Sequence, residues 1–428
     1  MTQNVRDFIR DNHLEFTAEQ LEEMRLAFTR DMEAGLSGGK SSLMMLPTYI
    51  TGEGNAPAGE KVIVLDAGGT NFRVAVCRFT EDGGIAVEYF EKTRMPGSEQ
   101  PVDVEEFFAE VARKLLPVID ESDKIGVCFS YAAEVLPSRD ARIIAINKEV
   151  VLLNAEGVLV CEGIARALKR LGVTREKKFV LINDTVAALL GAKAEHGAGG
   201  YGDFAGFILG TGTNIAYSER CSAIRKAPEL AAQSGSMIIN MESGFFDRIP
   251  RTDIDIAIDR GTNNPGFSIG EKMISGAYIG ETCRRFLALA GEQGVLSEAA
   301  GRAFAAMEEL PLADIGALLS GEPGALDTVA APADREAAAD IITAVFARAA
   351  AIVAAEFAGI FGRGGVDASL PVCVSAEGTT VNRSPIYKPL IIEAVRRQLT
   401  DRFGVSIDFV YVEDATLKGT ALAAALNC

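Results

Sequence analysis

The chain has 428 residues, with 42 Lys and Arg against 59 Asp and Glu, a net charge of −17 with both histidines neutral. Binders of nucleic acid and of anionic membranes draw their affinity from clustered cations, and no long basic run occurs, so neither partner is expected. Two histidines, His13 and His196, argue against a Ser-His-Asp hydrolase or a His-rich zinc site, which need imidazole at defined positions.

Apolar residues make up 48% of the chain, enough for buried cores in two or three domains at about 150 residues each. Seven widely spaced cysteines without a CxxC pair predict reduced thiols and a cytoplasmic protein. The opening MTQNVRDFIRDNHLEF is charged throughout and lacks the apolar run of a signal peptide. IITAVFARAAAIVAAEFAGIFG is the most apolar long segment, but Arg348 and Glu356 near its middle predict a core helix rather than a lipid-spanning one.

Helical spacing covers residues 14–35, and SSLMMLPTYI leads into a Gly/Pro loop. VIVLDAGGTNFRVAVCRF reads as two strands around a glycine turn, and GGIAVEYFEKTRM as a third. A helix follows over PVDVEEFFAEVARKLLPVID, then a strand (IGVCFS), a helix (GVLVCEGIARALKRLG), a strand (FVLIND) and a helix (TVAALLGAKAEHG). Three meander strands followed by βα units predict an α/β protein, with a mixed sheet covered by helices on both faces. The pattern then restarts with GDFAGFILGTGTNIAYSER, and adds later strands at SLPVCVS and SIDFVYV. Gly212-Thr213-Asn214 follows Gly69-Thr70-Asn71 by 143 positions, which points to two like-folded lobes around a cleft. Short surface helices and turns are expected between Glu309 and Asp340.

Two motif matches fail on context. AGLSGGKS lacks the first glycine of a P-loop and follows a helical pattern, and GAGGYG lies after a helix and before a strand, the reverse of a dinucleotide-binding turn. The two strand-turn-strand elements are better candidates, because glycines there let backbone N–H groups approach phosphate oxygens. Asp66 stands beside the first turn, where a carboxylate could hold a hydrated Mg²⁺ that bridges nucleotide phosphates. Asn183 and Asp184 stand where a strand meets a helix. Asp184 there is either a helix N-cap or a base facing the cleft.

LDAGGTNFRV, VLINDTVAALLGA, ILGTGTNIAY, IINMESGFFD and GFSIGEKMISGAYIGE resemble the hexokinase family, in its order and near its spacing, from about Leu46 to the C-terminus. The resemblance implies two ribonuclease H-like lobes of the actin-like ATPase kind and transfer of the ATP γ-phosphate to the 6-hydroxyl of a hexose. It makes Asp184 the general base, with Ser130, Asn147, Lys148, Asn183, Asn214, Asn240, Glu242 and Glu271 around the sugar. Lys148 falls eighteen residues after Ser130, as in the family, although its neighbours differ. Asp66, Gly68, Gly69, Thr70, Asn71 and Arg73 match the first phosphate motif, and Gly210, Thr211, Gly212 and Thr213 the second. Arg73 supplies a cation and Asp66 holds Mg²⁺ through water. Glu377, Gly378 and Thr379 match the adenosine segment.

The family's boundaries map a small lobe onto 53–182 plus 415–428 and a large lobe onto 1–52 plus 183–414. The expectation is an ATP- and Mg²⁺-dependent hexokinase. Its rivals are a hexose-binding sensor of the same fold with little catalysis and a nucleotide-dependent filament protein.

Overall fold

The computed structural model describes the chain apart from residues 55, 69–70, 146–149, 198 and 330. Two helices open it, α1 (Gln3–Asp11) and α2 (Ala18–Ser37). Thr17 and Gln20 form a capping box at the start of α2, and Gly38 ends it in the left-handed region at φ 76°. AGLSGGKS is therefore the end of a helix.

The first sheet contains β1 (Lys61–Gly68), β2 (Asn71–Phe79), β3 (Ile85–Arg94) and, after α3 (Val104–Leu115), β4 (Lys124–Phe129). After α4 (Val160–Arg170) it is completed by β5 (Lys178–Ile182), in the order β5-β4-β1-β2-β3. Strands β1 to β3 form an antiparallel meander, and β4 and β5 run parallel to β1. Beyond α5 (Asp184–His196) the second sheet repeats this plan with β6 (Asp203–Leu209), β7 (Thr213–Arg220) and β8 (Ser236–Asn240). Between β8 and β9 (Val372–Glu377) lie α6 (Ile269–Ile274), α7 (Gly276–Glu292) and α8 (Pro332–Phe361). The last elements are β10 (Ile407–Val410) and α9 (Ala415–Asn427). The order β10-β9-β6-β7-β8 matches the first sheet strand for strand, with Leu46–Pro47 added at the β8 edge.

Two expectations need correction. A hairpin, Ala132–Val135 with Ala141–Ala145, stands between β4 and α4 where no strands were read. The stretch after Glu309 has the expected short helix, Leu312–Ser320, but from Pro332 it is already the first turns of α8. Proline at the first helical position and the alanine-rich run that follows favour the helix there.

Helices α5 and α9 lie between the two sheets. Val62, Val64, Cys128 and Ile182 from the first sheet, Val186 and Leu190 from α5, Leu417 and Ala421 from α9, and Ala216 and Ile238 from the second sheet form one buried cluster. Glycine permits this stack. A Cβ on Gly126 of β4 would lie 2.6 Å from the Thr420 carbonyl of α9, and one on Gly206 of β6 would strike the Thr185 carbonyl of α5. Between the helices, Gly191 faces the Ala415 carbonyl and Gly419 the Ala187 carbonyl, again with no room for a Cβ.

Helix α8 is long and apolar enough to cross a membrane, yet 78% of its apolar window is buried within the fold. Arg348 forms two bonds to Asp255, at 2.6 and 2.9 Å, both side chains being buried. Glu356 is fully buried, and neither of its oxygens has a hydrogen-bond partner among the described residues. Burial holds its carboxyl well above the usual carboxylate range. The unfolded chain therefore loses this proton first, and stability is full below the unfolded pKa. It falls by about 1.4 kcal/mol per pH unit as pH rises toward the folded pKa. Glu356→Met removes that slope, so in thermal denaturation the variant's advantage over the unmodified protein should widen from pH 5 to pH 8. A difference independent of pH would mean that Glu356 is ionised in the fold.

Candidate active site

Strand β1 has two buried faces. Ile63, Leu65 and Ala67 pack in the cluster that holds α3 and α4, while Val62 and Val64 turn toward α9. Asp66 shares the α9 face and is 6% exposed. Thr416 Oγ1 of α9 donates to its Oδ2 at 3.2 Å, and Arg73, opposite it in the ladder, places Nη1 3.3 Å from the same oxygen. Cys128 is its register partner on β4. Burial pushes the Asp66 carboxyl up; Arg73, Cys128 and Thr416 oppose the rise, and the charge of Asp184 adds to it. The last residue of β1, Gly68, lies beside Ser130 Oγ, 3.2 Å from where its Cβ would stand. Asn71 opens β2 opposite Gly68. Gly69, Thr70, Asn147 and Lys148 lie outside the described residues.

Asp184 is the first residue of α5, and the cap is Asn183, whose Oδ1 accepts the Thr185 amide at 2.8 Å. Asp184 Oδ1 accepts the same amide at 2.8 Å and the Thr185 hydroxyl at 3.3 Å. The helix start thus fixes both residues, and the alternative of Asp184 as N-cap is decided in favour of Asn183. Asn183 opens onto a small cavity, with Phe129, Tyr131 and Leu181 on one side and Thr48, Asn240 and Glu242 on the other.

The second half supplies a polar chain. Asn214 Nδ2 donates to Asn240 Oδ1 at 2.7 Å, and Asn240 Nδ2 to Glu242 Oε1 at 2.9 Å. Asn214 Oδ1 also accepts the Ser243 amide at 3.2 Å. Glu242 adopts a left-handed backbone, φ 55°, two residues past the end of β8, and its carboxylate meets the last residue of that strand, Asn240. Such strain in a non-glycine residue is kept where the side chain is needed. Glu271, near the start of α6, accepts the Thr213 amide at 3.2 Å through Oε2.

The second glycine turn is bound to its surroundings. Gly210 O accepts the Gly276 amide at 2.8 Å and the Thr380 hydroxyl at 2.9 Å, and Thr211 O accepts the Ala277 amide at 3.3 Å. Gly378, at φ 113°, has no room for a Cβ against the Leu209 carbonyl and the Gly210 amide, so Glu377, Gly378 and Thr379 stand beside this turn. Glu377 itself is held by Ser375 Oγ at 3.1 Å.

The residues singled out from the sequence thus come together around Asp66 and around Asn183, Asn240 and Glu242, with Glu271 against the second turn. Ser130 falls at the first turn. Sequence reading did not find Thr416, Cys128, Thr380 or Gly276. The latter two sit inside or beside quoted motifs, but Thr416 and Cys128 carry no local signal.

The donor set suits a hydrated ion bound together with phosphate. No group of three His, Cys, Asp or Glu that could hold a metal occurs among the described residues, and one carboxylate beside bound phosphate is the usual provision for Mg²⁺. Thr213 Oγ1 is buried with no partner among the described residues, beside a glycine turn of the kind whose backbone can approach phosphate oxygens.

The hexokinase family matches residues 5–194 and 204–426 of this chain. Hexokinase-1 of Nicotiana tabacum is 32% identical, the match covering 95% of this chain and 88% of that protein. Hexokinase-1 of Oryza sativa subsp. japonica is 30% identical over 96% and 88%. A hexokinase from Schistosoma mansoni in complex with glucose, 24% identical, superposes with a TM-score of 0.78 over 99% of both chains, which establishes a common fold of two actin-like ATPase lobes. Sequence likeness along nearly the whole chain and the repeated sheet plan lead to one conclusion: the chain belongs to the hexokinase family.

Proposed function

We propose that the protein is an ATP- and Mg²⁺-dependent hexose kinase, with Asp184 as general base. The observation that carries this reading is the position of Asp184 at a rigid helix start within electrostatic reach of Asp66, next to Asn183, which shares one cavity with Asn240 and Glu242. Carboxylates and amides bind adjacent hydroxyls in pairs, and a sugar lacking a hydroxyl would leave them unpaired. Asn183, Asn214, Asn240, Glu242 and Glu271 would hold the hexose so that its primary hydroxyl meets Asp184. Asp184 takes the hydroxyl proton as the oxygen attacks.

When bound, Mg-ATP supplies the phosphoryl group and the charge neutralisation that its transfer requires. Asp66 would hold the ion through water, and Gly68, Gly210 and Gly212 would bring backbone amides to the phosphates. Arg73 balances Asp66. The lobes we assign, 53–182 with 415–428 and 1–52 with 183–414, would close over the substrates and exclude water, a smaller competing nucleophile.

ADP release from Mg-ATP across a panel of hexoses tests the reading. Asp184→Asn should lower hexose-dependent turnover by about 10²–10⁴-fold while sugar binding persists in calorimetry. Turnover unaffected by the substitution would remove Asp184 as base, and no turnover with any hexose would remove the kinase. Asn214→Asp turns the amide donor facing Asn240 into an acceptor. It should weaken hexose binding by about tenfold or more, with Mg-ADP binding unchanged. Equal loss for both ligands would point to a general disturbance of the fold.

A further inference from the structure

One carboxylate stands against the second glycine turn. Glu271 Oε2 lies 3.2 Å from the Thr213 amide, and a Cβ on Gly212 would strike the same oxygen. The carboxylate therefore occupies the face of the second glycine turn at Thr213, whose hydroxyl is buried with no partner among the described residues. An amide that donates to a carboxylate is not available to a phosphate oxygen, and the two anions repel each other.

We propose that Glu271 serves two subsites in turn: without sugar its carboxylate holds the Thr213 amide, and a hexose that takes the carboxylate releases that amide to a phosphate oxygen. The proposal rests on the hexose kinase reading. It goes further by making a sugar-binding side chain the guard of the phosphate turn.

The backbone around Glu271 is fixed, which leaves its side-chain torsions as the moving part. Lys272, 4% exposed, donates to Asp259 at 2.6 Å and to the Asn264 carbonyl at 2.8 Å. Asp259 also accepts the Gly266 amide at 3.0 Å. On the other side, the Ser275 amide bonds the Glu271 carbonyl at 2.9 Å, and Gly276 bonds Gly210 at 2.8 Å. Helix α6 is thus tied to the loop before it and to the turn it guards. A rotation of Glu271 changes the turn's electrostatics with no movement of the chain.

The coupling is reciprocal by linkage. Sugar and nucleotide should raise each other's affinity by the same factor, about tenfold, in the usual span for two coupled sites.

The test is Mg-ADP binding to the full chain by calorimetry, with and without saturating glucose, for the unmodified protein, Glu271→Gln and Glu271→Asp. Glutamine keeps the reach but loses the charge, and aspartate keeps the charge but falls one methylene short of Thr213. The unmodified protein should bind Mg-ADP weakly alone and about tenfold more tightly with glucose. Both variants, without sugar, should approach the tighter value, and glucose should then add little. Variants that bind Mg-ADP alone no better than the unmodified protein overturn the proposal, as does glucose that binds the unmodified protein without changing its Mg-ADP affinity. Loss of the kinase reading appears separately, as absence of sugar phosphorylation by the unmodified protein. In that case the sugar-free Mg-ADP affinities of the variants still decide whether Glu271 guards the turn.

Discussion

The site depends on a stack of sheet, helix, helix and sheet drawn together to backbone contact. Gly126 against α9, Gly191 and Gly419 between the helices, and Gly206 against α5 set the three spacings. A methyl group at any of them would have to displace a carbonyl of the next layer, and main-chain atoms cannot turn aside as a side chain can. The consequence reaches the chemistry directly. Asp184 begins the helix that lies on one sheet, and Thr416 belongs to the helix that lies on the other and bonds Asp66. The layer spacing therefore governs how close the two carboxylates come.

That closeness has an electrostatic cost, which constrains what the site can bind. Asp184 acts on the buried Asp66 in a chain that already carries a net charge of −17. Two like charges about 4 Å apart repel by roughly 4 kcal/mol at the effective dielectric of a protein surface. Arg73 is tied to Asp66, so it offsets a carboxylate before it can offset a phosphate. A nucleotide entering such a set needs its own counter-charge, which is the physical reason for proposing Mg-ATP. A hexose, neutral and rich in hydroxyls, gains hydrogen bonds from the carboxylates without that cost.

The sequence made most of this legible, because the elements that build the stack have strong local signatures. Both meanders have β-branched runs broken by glycine, and α5 has thirteen residues of helical pattern behind a clear cap. The hairpin at Ala132–Ala145 was hidden because its strands are short and its turn, Leu136-Pro137-Ser138-Arg139-Asp140, lacks a glycine. Arg139 supplies the left-handed position instead, at φ 65°, held by its side-chain bond to the Tyr49 carbonyl at 3.1 Å. Asp140 then caps α4 from twenty residues away, accepting the Cys161 and Glu162 amides at 2.8 and 3.0 Å. Thr416 was invisible for a related reason. Its role exists only once residues 350 positions apart meet, and nothing local marks it.

The duplication explains how one plan came to hold two substrates. The two halves have the same strand order, but their turns are not the same length. Gly210 follows Gly68 by 142 positions, whereas Asn214 follows Asn71 by 143, so the second turn has one more residue. Two residues before these turn glycines stand Asp66 in the first half and Ile208 in the second. The first half thus places a carboxylate under its turn, suited to an ion. The second has an apolar residue there and, in its longer turn, an amide at Thr213 that reaches Glu271. An exact repeat would have set two carboxylates against the same phosphates or left the sugar without a link to them. One inserted residue and one exchanged side chain separate the tasks, and the glycine contacts keep the two halves at the distance where both tasks serve one transfer.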